Sequence, residues 1–350
     1  MKSQFDFLDI ARGIAILAVV NIHVSALYLA ANVNPVIYFF HQLSYFCVPL
    51  FIGISGFLHA VSNDTNRAIS KFSLVSYTQR RFMRLIVPYL LFSILYVSIR
   101  ICLEHLPASG SLFPHRFNKF GTVISAIFLV KGNPAGQLYF LPLLFFIAVL
   151  FKILEVTLGK YRSLLILLCL AVSIFSYCLW GDIYRSLNPL KGVGFYAAGY
   201  FMYGQRSMKP YLLRVVVVGT GCLFLFGIFL PQRAVIQFIH QSCGAAFIFC
   251  SSLLLSQSAG RNYLGTGLIG LGHASLPIYL IHEPYIVTVL YLSMTKLINI
   301  LPIVAFAVTA FFGIAIPILL NMFFFAKSAF ITRWFFGGTV SIRTGSDTKI

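Results

Sequence analysis

Acidic residues are scarce in this chain. Asp and Glu number eight in 350 residues against 26 Lys and Arg, and charged residues make up only 10% of the total. With 59% hydrophobic residues and a mean hydropathy of +0.90, that scarcity excludes a soluble globular domain and predicts a polytopic membrane protein. No stretch between apolar runs is long enough to fold as a separate soluble domain. No CxxC pair occurs among the seven cysteines, and nearly all of them lie in apolar runs, so they read as reduced core residues and not as a disulfide or metal framework. No internal repeat is evident, which argues against the paired halves of many transporters. The net charge of +18 raises nucleic acid as a partner. The basic residues, however, sit in short loops between spans, where they act as topology signals and meet anionic headgroups, so the partner is the bilayer and not nucleic acid.

What the chain does contain is a series of apolar runs of about 20 residues, the length that crosses a bilayer. They fall near 8–30, 37–60, 84–103, 138–157, 163–180, 190–205, 211–230, 237–256, 276–295 and 301–325. This predicts an all-α bundle of about ten transmembrane helices. Segment 120–131 is apolar but short, and reads as re-entrant or interfacial; the Gly-rich 264–274 reads as an interfacial turn. With the N-terminus inside, the inner loops hold most of the basic residues, from Lys2 through Arg67, Lys71, Arg80, Lys160, Arg162, Arg206 and Arg261 to Arg343 and Lys349. The outer side keeps few, such as Arg116, Lys119, Lys131, Arg185 and Arg233. Both termini are therefore expected in the cytoplasm. A single transmembrane domain over 1–335 and a polar cytoplasmic tail over 336–350 are expected.

The first span, Phe7–Tyr28, carries Asp9, Arg12 and His23 inside an apolar run, so it reads as a retained span and not as a cleaved signal. Arg12 and His23 are eleven residues apart, which puts them within roughly 20° on the helix and about 16 Å along it. Asp9, one turn before Arg12, is expected to pair with it. Arg12 either snorkels to headgroups or holds an anion, and His23 either packs as a core histidine or meets the far end of that anion. Arg81 and Arg84 share a face at the start of the third span and read either as topology signals or as a phosphate clamp on the same side as Arg12. In the second span His41, Tyr45 and Pro49 recur at i, i+4; Pro49 is expected to kink it, Gly53 and Gly56 to allow close helix approach, and His41 and Tyr45 to line a polar cavity from the outer side. His282 and Glu283 sit in the ninth span between Pro277 and Pro284, and Glu283 reads as the only carboxylate well within a span.

Together these pieces resemble the acyltransferase-3 family of integral-membrane O-acyltransferases. The matching pieces are Arg12-x10-His23, FCVPLFIGISGFL over 46–58, Arg81-x-x-Arg84 before IVPYLL, QLYFLPLL over 137–144, and SLPIYLIHEP over 275–284. They stand in the family's order from Asp6 to about Tyr285. Two departures are Tyr139, where the family often has Trp, and Leu276, where it often has an aromatic residue; both concern the acceptor pocket. The resemblance implies acyl-CoA, most often acetyl-CoA, as a co-substrate, with no permanently bound cofactor and no metal. It places the donor's phosphates on Arg12, Arg81 and Arg84, and makes His23 the base, or the transient acyl carrier, with Glu283 or His282 orienting it. His41, Tyr45 and Tyr139 would then contact the acceptor, a cell-envelope glycan such as O-antigen or exopolysaccharide, free or lipid-linked. The implied location is a bacterial inner membrane. The rival reading is a transporter or flippase of lipid-linked sugars that uses the same His, Glu and Arg as a proton or anion path. A non-catalytic scaffold fits poorly with titratable residues on two spans.

Overall fold

The computed structural model describes all residues except 1–4, 32–33, 68–73, 106–115, 182–187, 206–207, 232, 258–262, 299–300 and 337–350. The polar tail, most of the 104–120 loop, and the basic residues Lys2, Lys71, Arg185, Arg206, Arg261, Arg343 and Lys349 thus lie outside the described residues. Among the described residues there are helices and no strands. In chain order they are α1 (Asp6–Ala31), α2 (Pro35–Leu43), α3 (Cys47–Arg67), α4 (Leu74–Glu104), α5 (Phe120–Leu129), α6 (Phe140–Leu158) and α7 (Arg162–Trp180). There follow α8 (Val193–Met202), α9 (Pro210–Gly227), α10 (Ala234–Ser256), α11 (Tyr263–His273), α12 (Ser275–Thr295), α13 (Pro302–Phe325) and α14 (Ala329–Phe335). The protein is an all-α polytopic bundle.

Among the described residues eight stretches are long and apolar enough to cross a membrane, and one of them, Gly136–Trp180, holds both α6 and α7 around a turn at 159–161. Each of the ten expected spans coincides with a helix, but α8 has only ten residues, about half of what a crossing needs. It is a short buried rod packed against α3, α6 and α7, with Phe195, Tyr196, Ala197 and Gly199 all enclosed. The expected turn at 264–274 is instead helix α11, laid along α1. Gly272 of α11 and Gly13 of α1 permit contact between the two backbones. A methyl group on Gly272 would stand 2.0 Å from the Asp9 carbonyl oxygen, and one on Gly13 would stand 2.2 Å from that of Leu268. Small residues read from sequence as a turn here serve close helix packing.

The second span also differs from expectation. It breaks at residues 44–46, between α2 and α3, and Pro49 lies in the first turn of α3, where a missing N–H leaves no gap. The interruption occurs just before the proline and not at it. In α12 the break does fall at a proline. Glu283 has the non-helical angles φ −119°, ψ 159°. Pro284 has no N–H for the Leu280 carbonyl, and the Tyr96 hydroxyl of α4 donates to that oxygen at 2.7 Å. The Glu283 carbonyl takes the side-chain amide of Gln137 at 2.8 Å, and the Tyr279 hydroxyl donates to the Gln137 carbonyl. The break is thus fastened on two sides, and the side chains at 282 and 283 have defined positions beside α1.

Candidate active site

A cavity of about 1380 Å³ runs beside α1. Its lining includes Asp9 near one end of that helix and Ala30 near the other, a rise of roughly 32 Å. Eight of the nine residues singled out from sequence line it: Arg12, His23, His41, Tyr45, Arg81, Arg84, Tyr139 and Glu283. His282 does not; it lies behind His23, fully buried, with the two rings 5.2 Å apart.

At one end of the cavity Arg12, Arg81 and Arg84 stand close enough for Arg84 to feel the charge of the other two. Arg12 donates to Asp9 at 2.7 Å, as its one-turn spacing requires, and Asp9 also faces His273 of α11 at 3.1 Å. Among the described residues, neither Arg81 nor Arg84 has a carboxylate within ion-pair distance. Two guanidiniums without a carboxylate neighbour on a cavity wall have the chemistry to hold an anion.

About 16 Å further along α1 stands His23. Its Nδ1 lies 3.1 Å from Oε2 of Glu283, with both side chains mostly shielded. If Nδ1–H is held by the carboxylate, Nε2 is left as the proton acceptor; this tautomer follows from the network. His282 is fixed by Nδ1–H donated to the Ile278 carbonyl at 2.8 Å, and its Nε2 has no hydrogen-bond partner among the described residues. One ligand atom each of His23, His282 and Glu283 lies within 4.8 Å of the others. Such a set suits a divalent ion as well as a proton, and the 3.1 Å separation is that of a hydrogen bond. Toward the other end, His41 is held between Ser25, 2.8 Å from Nδ1, and Tyr45, 3.3 Å from Nε2. Tyr139 and Leu276, the two departures from the family pattern, face the same cavity, as do Arg116 and Lys131.

The sequence model described as an acyltransferase domain, Acyl_transf_3, matches residues 5–322. The chain belongs to the acyltransferase-3 family. Comparison with curated proteins and with solved structures found no match. Family membership makes this multi-pass membrane protein an acyltransferase and favours group transfer over the transporter reading.

One group of polar residues was not anticipated from sequence. Glu283 is not the only carboxylate inside a helical span. Glu155 of α6 is 12% exposed and takes Lys152 at 2.7 Å, Asn63 at 2.5 Å and Tyr200 at 2.6 Å. Glu104 is buried at the end of α4 against Arg100 and the backbone N–H groups of Arg116 and Phe117. The Glu155 group had a signal in the sequence: Ser55 and His59 stand four apart in an apolar run, and Asn63 continues the same row into the polar end of the helix.

Proposed function

We propose that this acyltransferase moves an acetyl group from acetyl-CoA, bound from the cytoplasmic side, to a hydroxyl of a cell-envelope glycan such as O-antigen or exopolysaccharide in the bacterial inner membrane. The observation that carries the reading is the His23–Glu283 contact at 3.1 Å, in a cavity that also holds two arginines without carboxylate partners among the described residues. The donor's phosphates rest on Arg81 and Arg84, with Arg12 beside them. The pantetheine arm extends along α1, and the rise of about 16 Å to His23 suits its length. His23 Nε2 takes the acceptor's hydroxyl proton as that oxygen attacks the thioester carbonyl. The tetrahedral intermediate collapses with cleavage of the C–S bond, and the proton passes from His23 to the departing sulfur. Glu283 fixes the tautomer and stabilises the imidazolium formed between these two transfers. His41, Tyr45 and Tyr139 contact the acceptor from the other end of the cavity.

The test compares glycan O-acetylation, by mass or NMR, in cells making the wild-type chain or His23→Ala at equal membrane levels. Loss of the acetyl signal in the variant is expected, and retention at the wild-type level would overturn the role of His23. Absence of any acetyl difference between cells with and without the wild-type chain would overturn the glycan as acceptor.

A further inference from the structure

Arg81 is held in place without a direct carboxylate partner among the described residues. Its Nη1 donates to Oγ of Ser55 at 3.1 Å, its Nη2 to the Tyr196 hydroxyl at 3.4 Å, and its guanidinium lies 5.3 Å from the centre of the Tyr77 ring. The Tyr196 hydroxyl is fully enclosed. It lies 3.0 Å from the Tyr77 hydroxyl and 3.1 Å from Nδ1 of His59. His59 is buried, and its Nε2 lies 3.3 Å from Oε2 of Glu155, an ion-pair distance short of a well-aligned hydrogen bond. Glu155 is in turn fixed by Lys152, Asn63 and Tyr200.

Four helices supply these groups, each from a pair or row of residues three or four apart: Ser55, His59 and Asn63 on α3, Tyr77 and Arg81 on α4, Lys152 and Glu155 on α6, Tyr196 and Tyr200 on α8. Lys152 and Glu155 alone would make an ordinary ion pair. It is His59 and Tyr196 that connect them to the cavity wall.

The donor inventory gives this chain a direction. With the ring's one proton on Nε2, facing the Glu155 carboxylate at 3.3 Å, Nδ1 is left as an acceptor. The single hydroxyl hydrogen of Tyr196 then goes to Nδ1, and the Tyr196 oxygen is left to accept from Arg81 and Tyr77. Each donor points the same way, from Arg81 through Tyr196 and His59 toward Glu155. The two hydrogen bonds of this row polarise one another, and the carboxylate acts on the His59 ring through the 3.3 Å charge contact. The carboxylate thereby orients Arg81 from two residues away, and no carboxylate competes for the guanidinium face turned to the cavity.

We infer that Glu155, acting through His59 and Tyr196, is a positioning residue for Arg81 and sets the affinity of the cavity for the anionic end of the acyl donor. This rests on the reading of Arg81 as part of the donor site.

The test needs no acceptor. CoA is titrated into the purified full-length chain, and the dissociation constant is compared for wild type, Arg81→Ala, Glu155→Gln, Tyr196→Phe and the double variants with Arg81→Ala. Tyr196→Phe preserves shape and serves the cycle if Glu155→Gln does not fold. Glu155→Gln and Tyr196→Phe should each weaken CoA binding about tenfold, the scale of one hydrogen bond to a charged group. Neither should weaken it further once Arg81 is Ala, which a general loss of packing would not reproduce. His59→Asn, whose amide oxygen can still accept from Tyr196, should bind more tightly than His59→Leu. Unchanged affinity in both single variants, or losses that add to that of Arg81→Ala, would overturn the inference while leaving the donor site intact. Unchanged affinity in Arg81→Ala itself would instead remove the donor-site reading and the inference with it.

Discussion

His23 and Glu283 come from opposite ends of the chain and meet at 3.1 Å on the wall of a cavity whose other charged residues are mostly arginine. Their proposed roles separate cleanly in kinetics. Glu283→Gln keeps the side chain's shape and removes the charge that stabilises an imidazolium. It should lower kcat by about a hundredfold or more, the range of general-base catalysis, with CoA affinity unchanged. Arg84→Ala should do the reverse, raising the CoA dissociation constant about tenfold with little effect on kcat at saturating donor. Initial rates against donor concentration, alongside CoA titration, check both; a shared pattern in the two variants would refute the division of labour. His23 and Glu283 were legible in the sequence because an imidazole and a carboxylate are costly inside apolar runs and so stand out. Glu155 was not, because it lies near the end of an apolar run beside Lys152, where a charged pair looks like a solvated helix end.

At the scale of the helices, the closest contacts are made by glycine. A methyl group at Gly56 would stand 2.0 Å from the Tyr196 carbonyl oxygen, and one at Gly199 would stand 1.8 Å from that of Gly53. The crossing of α3 and α8 therefore depends on backbone contact, and it is this crossing that brings Tyr196 to His59. Gly56→Ala should destabilise the protein by roughly 1–3 kcal/mol, the usual cost of overpacking, seen as a lowered melting temperature in detergent. Gly53→Ala, whose methyl group would make an ordinary 3.6 Å contact, should melt near wild type. An equal drop in both would contradict this account of the crossing. The glycines of the second span were legible as packing residues, since a glycine in an apolar helix lets a neighbouring backbone approach closely. Those of α11 read as a turn because composition alone does not say whether a glycine faces solvent or another backbone. The kink expected at Pro49 fell earlier because a proline in a first helical turn removes no hydrogen bond, whereas Pro284, in mid-helix, leaves the Leu280 carbonyl to Tyr96.

For the molecule as a whole, hydropathy gave a sound outline of the bundle, and one apolar run of the outline is a short internal helix. A ten-residue α8 inside the bundle is as apolar as a spanning helix, since protein interior and lipid select similar side chains. Only length distinguishes them. The cavity beside α1 extends roughly 32 Å, close to the thickness of the hydrocarbon layer. It has an electrical consequence. A cavity of that length in an energised membrane lies in the transmembrane voltage, where each elementary charge moved through 100 mV changes energy by about 2.3 kcal/mol. If the arginine end faces a negative cell interior, the phosphates of the proposed donor lose electrical energy as they move into the cavity. Voltage should therefore tighten both acetyl-CoA and its product CoA. In proteoliposomes, dissipating an imposed potential should raise the apparent KM for acetyl-CoA and the inhibition constant for CoA by the same factor. Constants indifferent to the potential would mean that the phosphates bind outside the field, at the membrane surface.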